Sequence, residues 1–204
     1  MQNVISRSRG KLRFIAGIDE AGRGPLAGPL ALACVWCAKK HQLRLFSGIR
    51  DSKQLTARAR EKWFLRLKND PRIAFRATLI SPRLIDQRGV SWVLREGVRR
   101  LVERFRHAEG RDAASFFYLD GGLFAPSFVR QRTIIRGDET VPIISAASIV
   151  AKVLRDRVML RLHRRLPEYG FDMHKGYGTR LHYARLYALG LSPEHRRRFC
   201  AKLL

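Results

Sequence analysis

Four acidic residues, Asp19, Glu20, Asp120 and Asp138, have types and positions that could do chemistry together. Each falls where an apolar run gives way to a turn. Residues 14–18 lead into Asp19-Glu20, residues 115–119 into Asp120-Gly121-Gly122, and residues 133–135 into Gly137-Asp138. A single carboxylate at a strand end is ordinarily a turn former or a helix cap. Here four of only 17 acids fall at three such ends, two of them adjacent and soon followed by glycine. In open α/β sheets the strand ends line the crevice where ligands bind. Carboxylates gathered there repel one another unless a hard cation neutralises them, and Mg²⁺ or Mn²⁺ held by a few carboxylates, waters and phosphate oxygens is the expected occupant. Two such ions, about 3.5–4 Å apart, would activate water and stabilise the leaving oxygen of a phosphodiester.

The rest of the composition supplies the partner. There are 41 Lys and Arg against 17 Asp and Glu, a formal net charge of +24. Such an excess favours a polyanion, with phosphate contacts providing salt-dependent affinity. A membrane surface is the competing partner, but no single long basic amphipathic helix stands out. An arginine-rich coding bias would also raise the charge, since Arg far outnumbers Lys. No apolar run approaches the roughly 20 residues of a membrane span. The basic stretch 1–11 lacks the apolar block of a signal peptide, so a cytoplasmic location is expected. With three cysteines in 204 residues, a disulfide scaffold is excluded. Cys34-Val35-Trp36-Cys37 matches C-x-x-C, yet it overlaps an apolar strand. Residues three apart on a strand face opposite ways and would not converge on one metal.

Gly22-Arg23-Gly24-Pro25-Leu26-Ala27-Gly28 admits three readings. As a dinucleotide fingerprint it fails, because the last glycine comes one position late and a strand follows where a helix should open. A plain tight turn is the second. The third is close approach of the backbone to a nucleic-acid strand, since glycine lets amide N–H groups reach a phosphate or a ribose hydroxyl.

The elements that must position these residues follow from periodicity. Strands are expected at 14–18, 30–36, 115–119 and 133–135, and at 73–79, where alternation predicts one wet face. A surface helix over 56–69 stops at Asp70-Pro71. Ser81-Pro82 starts another, Ser as cap and Pro in the first turn. A helix at 91–106 carries Leu94, Val98, Leu101, Val102 and Phe105 on one face. A long helix is expected over 145–165, then short ones at 179–189 and from Ser192-Pro193 onward. The fold class is α/β, a mixed five-stranded sheet flanked by helices with a helical C-terminal part.

Gly17-Ile18-Asp19-Glu20-Ala21-Gly22-Arg23-Gly24-Pro25-Leu26-Ala27-Gly28-Pro29 resembles the signature of ribonuclease HII, the bacterial type 2 ribonuclease H. Four further blocks agree in order: Asp51-Ser52-Lys53-Gln54-Leu55, Leu119-Asp120-Gly121, Ile144 to Val153 with Arg155-Asp156-Arg157, and Gly170-Phe171 with His174-Lys175-Gly176-Tyr177-Gly178-Thr179. The likeness spans about residues 14–199. It implies a ribonuclease H-like fold in one domain over 1–204, with a catalytic α/β core at about 14–165 and a C-terminal helical substrate-binding part at about 166–204. It implies metal-dependent hydrolysis of the RNA strand of RNA/DNA hybrids, and incision at single ribonucleotides in duplex DNA, leaving 3′-hydroxyl and 5′-phosphate ends. By resemblance Asp19, Glu20 and Asp120 are metal ligands for Mg²⁺ or Mn²⁺, two ions with substrate bound, and Asp138 is the fourth active-site carboxylate. Gly22, Arg23 and Gly24 match the loop that contacts the ribonucleotide, and Tyr177 the tyrosine that senses the 2′-hydroxyl. The segment Gly121-Gly122-Leu123-Phe124 is more apolar than that pattern. Lys53, Lys175 and Arg180 flank the motifs as phosphate contacts or as solvated charges. Arg196-Arg197-Arg198 is read as a grip on duplex backbone or a basic surface, Asp156, four residues after Lys152, as an ion-pair or hydrogen-bonding residue in preference to a metal ligand, and His174 as structural or substrate-facing. A monomer without an evident protein partner is expected. A non-catalytic basic nucleic-acid-binding protein is the alternative.

Overall fold

The computed structural model describes residues 12–49, 55–111 and 113–201. Its centre is a five-stranded sheet in the order β3-β2-β1-β4-β5. Strand β1 (Phe14–Ala21) pairs antiparallel with β2 (Leu30–Ala38), Ile18 opposite Cys34, and β2 pairs antiparallel with β3 (Ile73–Ile80). On the other side β1 runs parallel to β4 (Ser115–Asp120), which runs parallel to β5 (Gln131–Ile134). The sheet is therefore mixed, as expected. The chain reaches its parallel half only after α1 (Gln42–Leu45), α2 (Ala57–Asn69), α3 (Pro82–Arg88) and α4 (Val90–Glu109) have crossed over.

Both faces of the sheet are covered. On one, α4 lays Val93, Leu94, Val98, Leu101, Val102 and Phe105 against Ile18, Leu32, Cys34 and Trp36. On the other, α2 and the long helix α6 (Pro142–Arg165) cover Ile15, Val35 and Cys37. Cys34 and Cys37 thus belong to different layers, as strand alternation requires, and both thiols are free and buried. Gly17 lets α6 sit directly on β1, since a Cβ there would run into the Ile143 carbonyl. Thr56 and Ser81 cap α2 and α3 through their hydroxyls.

Several boundaries depart from expectation for local reasons. Helix α6 begins at Pro142, three residues before the predicted start, because proline at the first helical position has its φ preset and has no N–H to satisfy. β5 stops at Ile134, and left-handed Arg136 (φ 52°) turns the chain into the one-turn helix α5 (Gly137–Thr140). β3 is not wet on one face: only Arg76 and Leu79 are exposed along it, since α2 and α4 shield opposite sides. After α7 (Phe171–His174) and α8 (Arg180–Leu189), residues 192–196 form no helix. His195 instead bridges antiparallel to Ala27, and a 3-10 turn, Arg197–Phe199, follows. A smaller core of Leu26, Met159, Leu162, Tyr169, Phe171, Leu186 and Cys200 joins this C-terminal part to the far half of α6. No helix among the described residues is long and apolar enough to cross a membrane.

Candidate active site

The parallel register that sets Ile18 opposite Leu119 carries Asp19 and Asp120, the next residue on each strand, to one end of the sheet. Asp138 arrives by another route. It lies in α5, four residues beyond the end of β5 and not at a strand end, which corrects the sequence reading. The link is Asp120 itself, whose Oδ1 accepts hydrogen bonds from the N–H groups of Gly137 (2.6 Å) and Asp138 (3.2 Å). Gly137 suits this close approach, because a Cβ there would push the end of the Ile144 side chain aside and sit tight against Ile134. Ser145, in the first turn of α6, donates its hydroxyl to the Asp138 carbonyl at 2.6 Å. The backbone of Asp138, whose side chain is buried, is thereby held beside Asp120.

Asp19 is 4% exposed, and Glu20 is partly buried beside it. Burial drives the Asp19 carboxyl well above the usual carboxylate range, and the negative charges of Glu20 and Asp120 push it further. A hydrogen bond from Ser148 on α6 and the Glu20 N–H (2.7 Å to Asp19 Oδ1) oppose the shift without cancelling it. Glu20 is raised too, first by burial. Arg23, 3.9 Å away, holds it down, and Asp120 adds to the rise. These are hard oxygen donors that are costly to ionise together, which is the chemistry a divalent cation answers, so the donor set fits Mg²⁺ or Mn²⁺. Among the described residues no three His, Cys, Asp or Glu side chains stand in ready metal-ligating array. Asp19 and Asp120 each spend one oxygen on backbone N–H groups, so a shared cation requires the carboxylates to draw in.

The glycine loop leaves β1 directly after these acids. Gly22 has φ 87° and lies on Arg155 of α6, whose Nε a Cβ would strike. Arg23 and Gly24 are exposed, and Gly24 has open space where a side chain would go. Two buried arginines hold the loop from behind. Arg196 donates to the carbonyls of Gly22 (2.7 Å), Arg23 (3.0 Å) and Gly28 (2.9 Å). Arg155 donates to those of Pro29 (3.0 Å), Ala27 (3.3 Å) and Lys175 (2.9 Å). Of the two guanidinium groups, Arg155 Nη1 alone has no hydrogen-bond partner among the described residues. Arg196 is therefore neither a grip on duplex backbone nor part of a basic surface, the two roles its place in a basic run suggested. Arg197 and Arg198 do lie toward the surface, their N–H groups bonded to Asp86.

Arg155 also leads to Tyr177. Its guanidinium lies 5.4 Å from the centre of that ring, with Lys152 Nζ at 5.8 Å, and the ring is 42% exposed. Lys175 is left-handed (φ 50°) and turns its ammonium to the Asp172 carbonyl. His174 is buried and doubly engaged: its Nδ1 accepts from the Gly176 N–H at 3.1 Å, so its Nε2 donates to the Tyr169 carbonyl at 2.8 Å. Asp156 pairs with Lys152 at 2.8 Å, the ion pair expected of it. Lys53 lies outside the described residues.

Sequence reasoning passed over the buried scaffold, Arg155, Arg196, His182 and His195. Arg155 lay within a quoted motif block, but Arg196 sat in a triplet of like charges that reads as surface.

Comparison with known proteins bears on the family and the fold. The family model for ribonuclease HII matches residues 16–107 and 125–203. A curated relative, ribonuclease HII of Xanthomonas axonopodis pv. citri, is 45% identical over 193 residues, covering 92% of this chain and 74% of its own. Among solved structures, the complex of PCNA with RNase HII from Archaeoglobus fulgidus gives a TM-score of 0.74 at 26% identity, covering 91% of this chain and 94% of the other. Ribonuclease H2 from Pyrococcus horikoshii gives 0.72 at 29% identity, covering 93% and 96%.

Proposed function

The chain belongs to the ribonuclease HII family and is an endoribonuclease acting on RNA/DNA hybrids, and we propose that it cuts by metal-assisted hydrolysis and also incises beside single ribonucleotides embedded in duplex DNA. The observation that carries the reading is Asp19, a carboxylate buried between the sheet and α6 with two further acids acting on it, in a protein of net charge +24. A structural acid in such a place would be paired with one of the many arginines. This one is set among like charges.

Asp19, Glu20 and Asp120 would hold the divalent ions, Mg²⁺ or Mn²⁺, two with substrate bound, and Asp138 would stand as the fourth carboxylate of the site. Bound there, the ions supply a nucleophilic water and stabilise the departing 3′-oxygen. The remaining work falls to the chain. Gly24 allows the loop backbone to approach the ribonucleotide, while Gly22, pressed on Arg155, fixes the path of the loop. Arg23 and Lys175 add positive charge for the neighbouring phosphates, positioning without specifying. The half-exposed ring of Tyr177 lies where it can pack on the nucleotide and sense the 2′-hydroxyl, the one group that distinguishes RNA from DNA at a single position. The helical part beyond residue 165 then belongs to substrate binding, since it carries Tyr177 and braces the glycine loop.

The test is cleavage of duplex DNA carrying one ribonucleotide, with Mg²⁺ or Mn²⁺ and then with excess EDTA. Metal-dependent incision leaving a 3′-hydroxyl and a 5′-phosphate is expected. Salt-sensitive binding without cleavage, or cleavage that persists in EDTA, contradicts the reading.

A further inference from the structure

Behind Tyr177 the C-terminal part buries three imidazoles in direct contact. His174 stacks on His182 with centroids 4.1 Å apart, and His182 meets His195 at 5.2 Å. Phe171 and Tyr169 pack around them, closing the cluster to solvent. None of the three touches the acids at the end of the sheet, so the proposed chemistry leaves the cluster without a role.

Its hydrogen bonds have one consistent direction. The backbone N–H of Ser192 donates to His195 Nδ1 at 3.0 Å, which leaves the proton of His195 on Nε2. That Nε2 lies 3.0 Å from Nε2 of His182 and donates to it. The proton of His182 is thereby placed on Nδ1, which donates to the Tyr177 carbonyl at 3.0 Å. The Ser192 hydroxyl, 2.8 Å from the same His195 Nδ1, donates to it as well, so each ring accepts at one nitrogen and donates at the other, and the tautomers follow from the network. The same carbonyl also accepts from the Thr179 N–H at 2.8 Å, and the Tyr177 N–H donates to His174 O at 2.9 Å. The backbone of Tyr177 is held on both sides of its ring.

The other end of this relay is anchored to the glycine loop. His195 bridges to Ala27. The Gly28 N–H donates to Glu194 O at 2.9 Å, and the Arg196 N–H donates to Leu26 O at 2.7 Å. One segment, residues 194–196, thus carries His195 toward Tyr177 and the Arg196 guanidinium toward the carbonyls of Gly22 and Arg23. The two elements assigned to the ribonucleotide are joined through this strip.

We infer that His182 and His195 are positioning residues that set Tyr177 against the Gly22-Arg23-Gly24 loop, and so determine how sharply a single ribonucleotide is recognised. The inference rests on the substrate role proposed for Tyr177. Displacing a contact group by about 1 Å can cost on the order of 10²-fold in rate, so a slack relay is expressed in catalysis.

A double-mutant cycle on the full chain tests it, with kcat/KM measured on duplex DNA containing one ribonucleotide. His195→Gln is expected to lose roughly 10- to 100-fold in the native background and less than about twofold in a Tyr177→Ala background, because contacting residues are non-additive. A purely structural histidine would lose the same factor in both, and that outcome overturns the inference. His182→Gln, which keeps an N–H donor for the Tyr177 carbonyl, is expected to retain more activity than His182→Leu, which keeps bulk without a donor. Equal activities with equal melting temperatures would count against a positioning role. If His182→Leu does not fold, the cycle at His195 decides alone. Should Tyr177→Ala by itself leave the rate unchanged, the substrate role of Tyr177 fails instead.

Discussion

Two regions of this molecule bury polar side chains, and they treat them in opposite ways. Where the far half of α6 meets the C-terminal part, Arg155, Arg196, His174, His182 and His195 are buried, and apart from Arg155 Nη1 the protein answers them with backbone carbonyls, backbone N–H groups or each other. At the acidic end of the sheet, Asp19 and Glu20 are set beside Asp120, and each charge makes the next costlier to hold. Buried polar groups are ordinarily matched by the fold that buries them. A region where the fold declines to do so is set up for something supplied from outside, while the matched region is scaffold. Substitution should therefore part function from stability at the acidic end and lower both together in the matched region.

The largest expected effect is on activity at the acidic end. Asp19→Asn should reduce hydrolysis of an RNA/DNA hybrid by at least about 10²-fold in initial-rate measurements. A variant retaining native rates would erase the distinction between the regions. Next is Arg196→Ala, which leaves the carbonyls of Gly22, Arg23 and Gly28 without their donor and opens a cavity. A loss of about 3 kcal/mol is expected, which thermal melting would register as a fall of roughly 6–12 °C, with activity falling alongside.

The glycine loop sharpens the contrast within one turn. Gly22→Ala forces a side chain onto Arg155 at φ 87° and should cost about 1–3 kcal/mol by denaturant titration. Gly24→Ala meets nothing and should leave stability within about 0.5 kcal/mol, while weakening cleavage where the backbone must approach the nucleotide.

The smallest effect is the response to pH, whose sign differs between the regions. Burial and neighbouring imidazoles push His182 and His195 down to about 4. Between the ordinary histidine value of about 6.5 and about 4, the unfolded chain binds protons that the folded chain refuses, so their contribution to stability falls as pH falls. For Asp19, raised in the fold, the metal-free folded state keeps a proton that the unfolded chain has released. Its destabilising effect is absent near pH 4 and grows as pH rises. The melting-temperature difference between the native chain and Asp19→Asn should accordingly widen with pH.

Much of this was legible in the residues because local rules and global packing agreed. The stripe through Leu94, Val98 and Phe105 faces the sheet, Ser81 caps its helix, and Cys34 and Cys37 part to opposite layers. The acids were legible because they are rare in this chain and follow apolar runs. Legibility ended where tertiary contact overrode pattern. Helix α6 is buried all round at its start, so it has no polar face to mark its first turn. Asp138 is brought beside Asp120 through an arginine in a left-handed turn, which nothing in its sequence type announces. Arg155, Arg196 and the histidine relay were hidden because arginine and histidine are ordinarily surface or intermediate residues, and their partners are carbonyls contributed by distant segments.

The central claim, that the buried acids are held in a state only cations relieve, is tested most directly by thermal melting of the native chain and Asp19→Asn, each in EDTA and in millimolar Mn²⁺. The account predicts that Asp19→Asn melts above the native chain in EDTA, and that Mn²⁺ raises the native melting temperature while leaving the variant nearly unmoved. A variant that melts lower in EDTA, or a native chain indifferent to Mn²⁺, would contradict it.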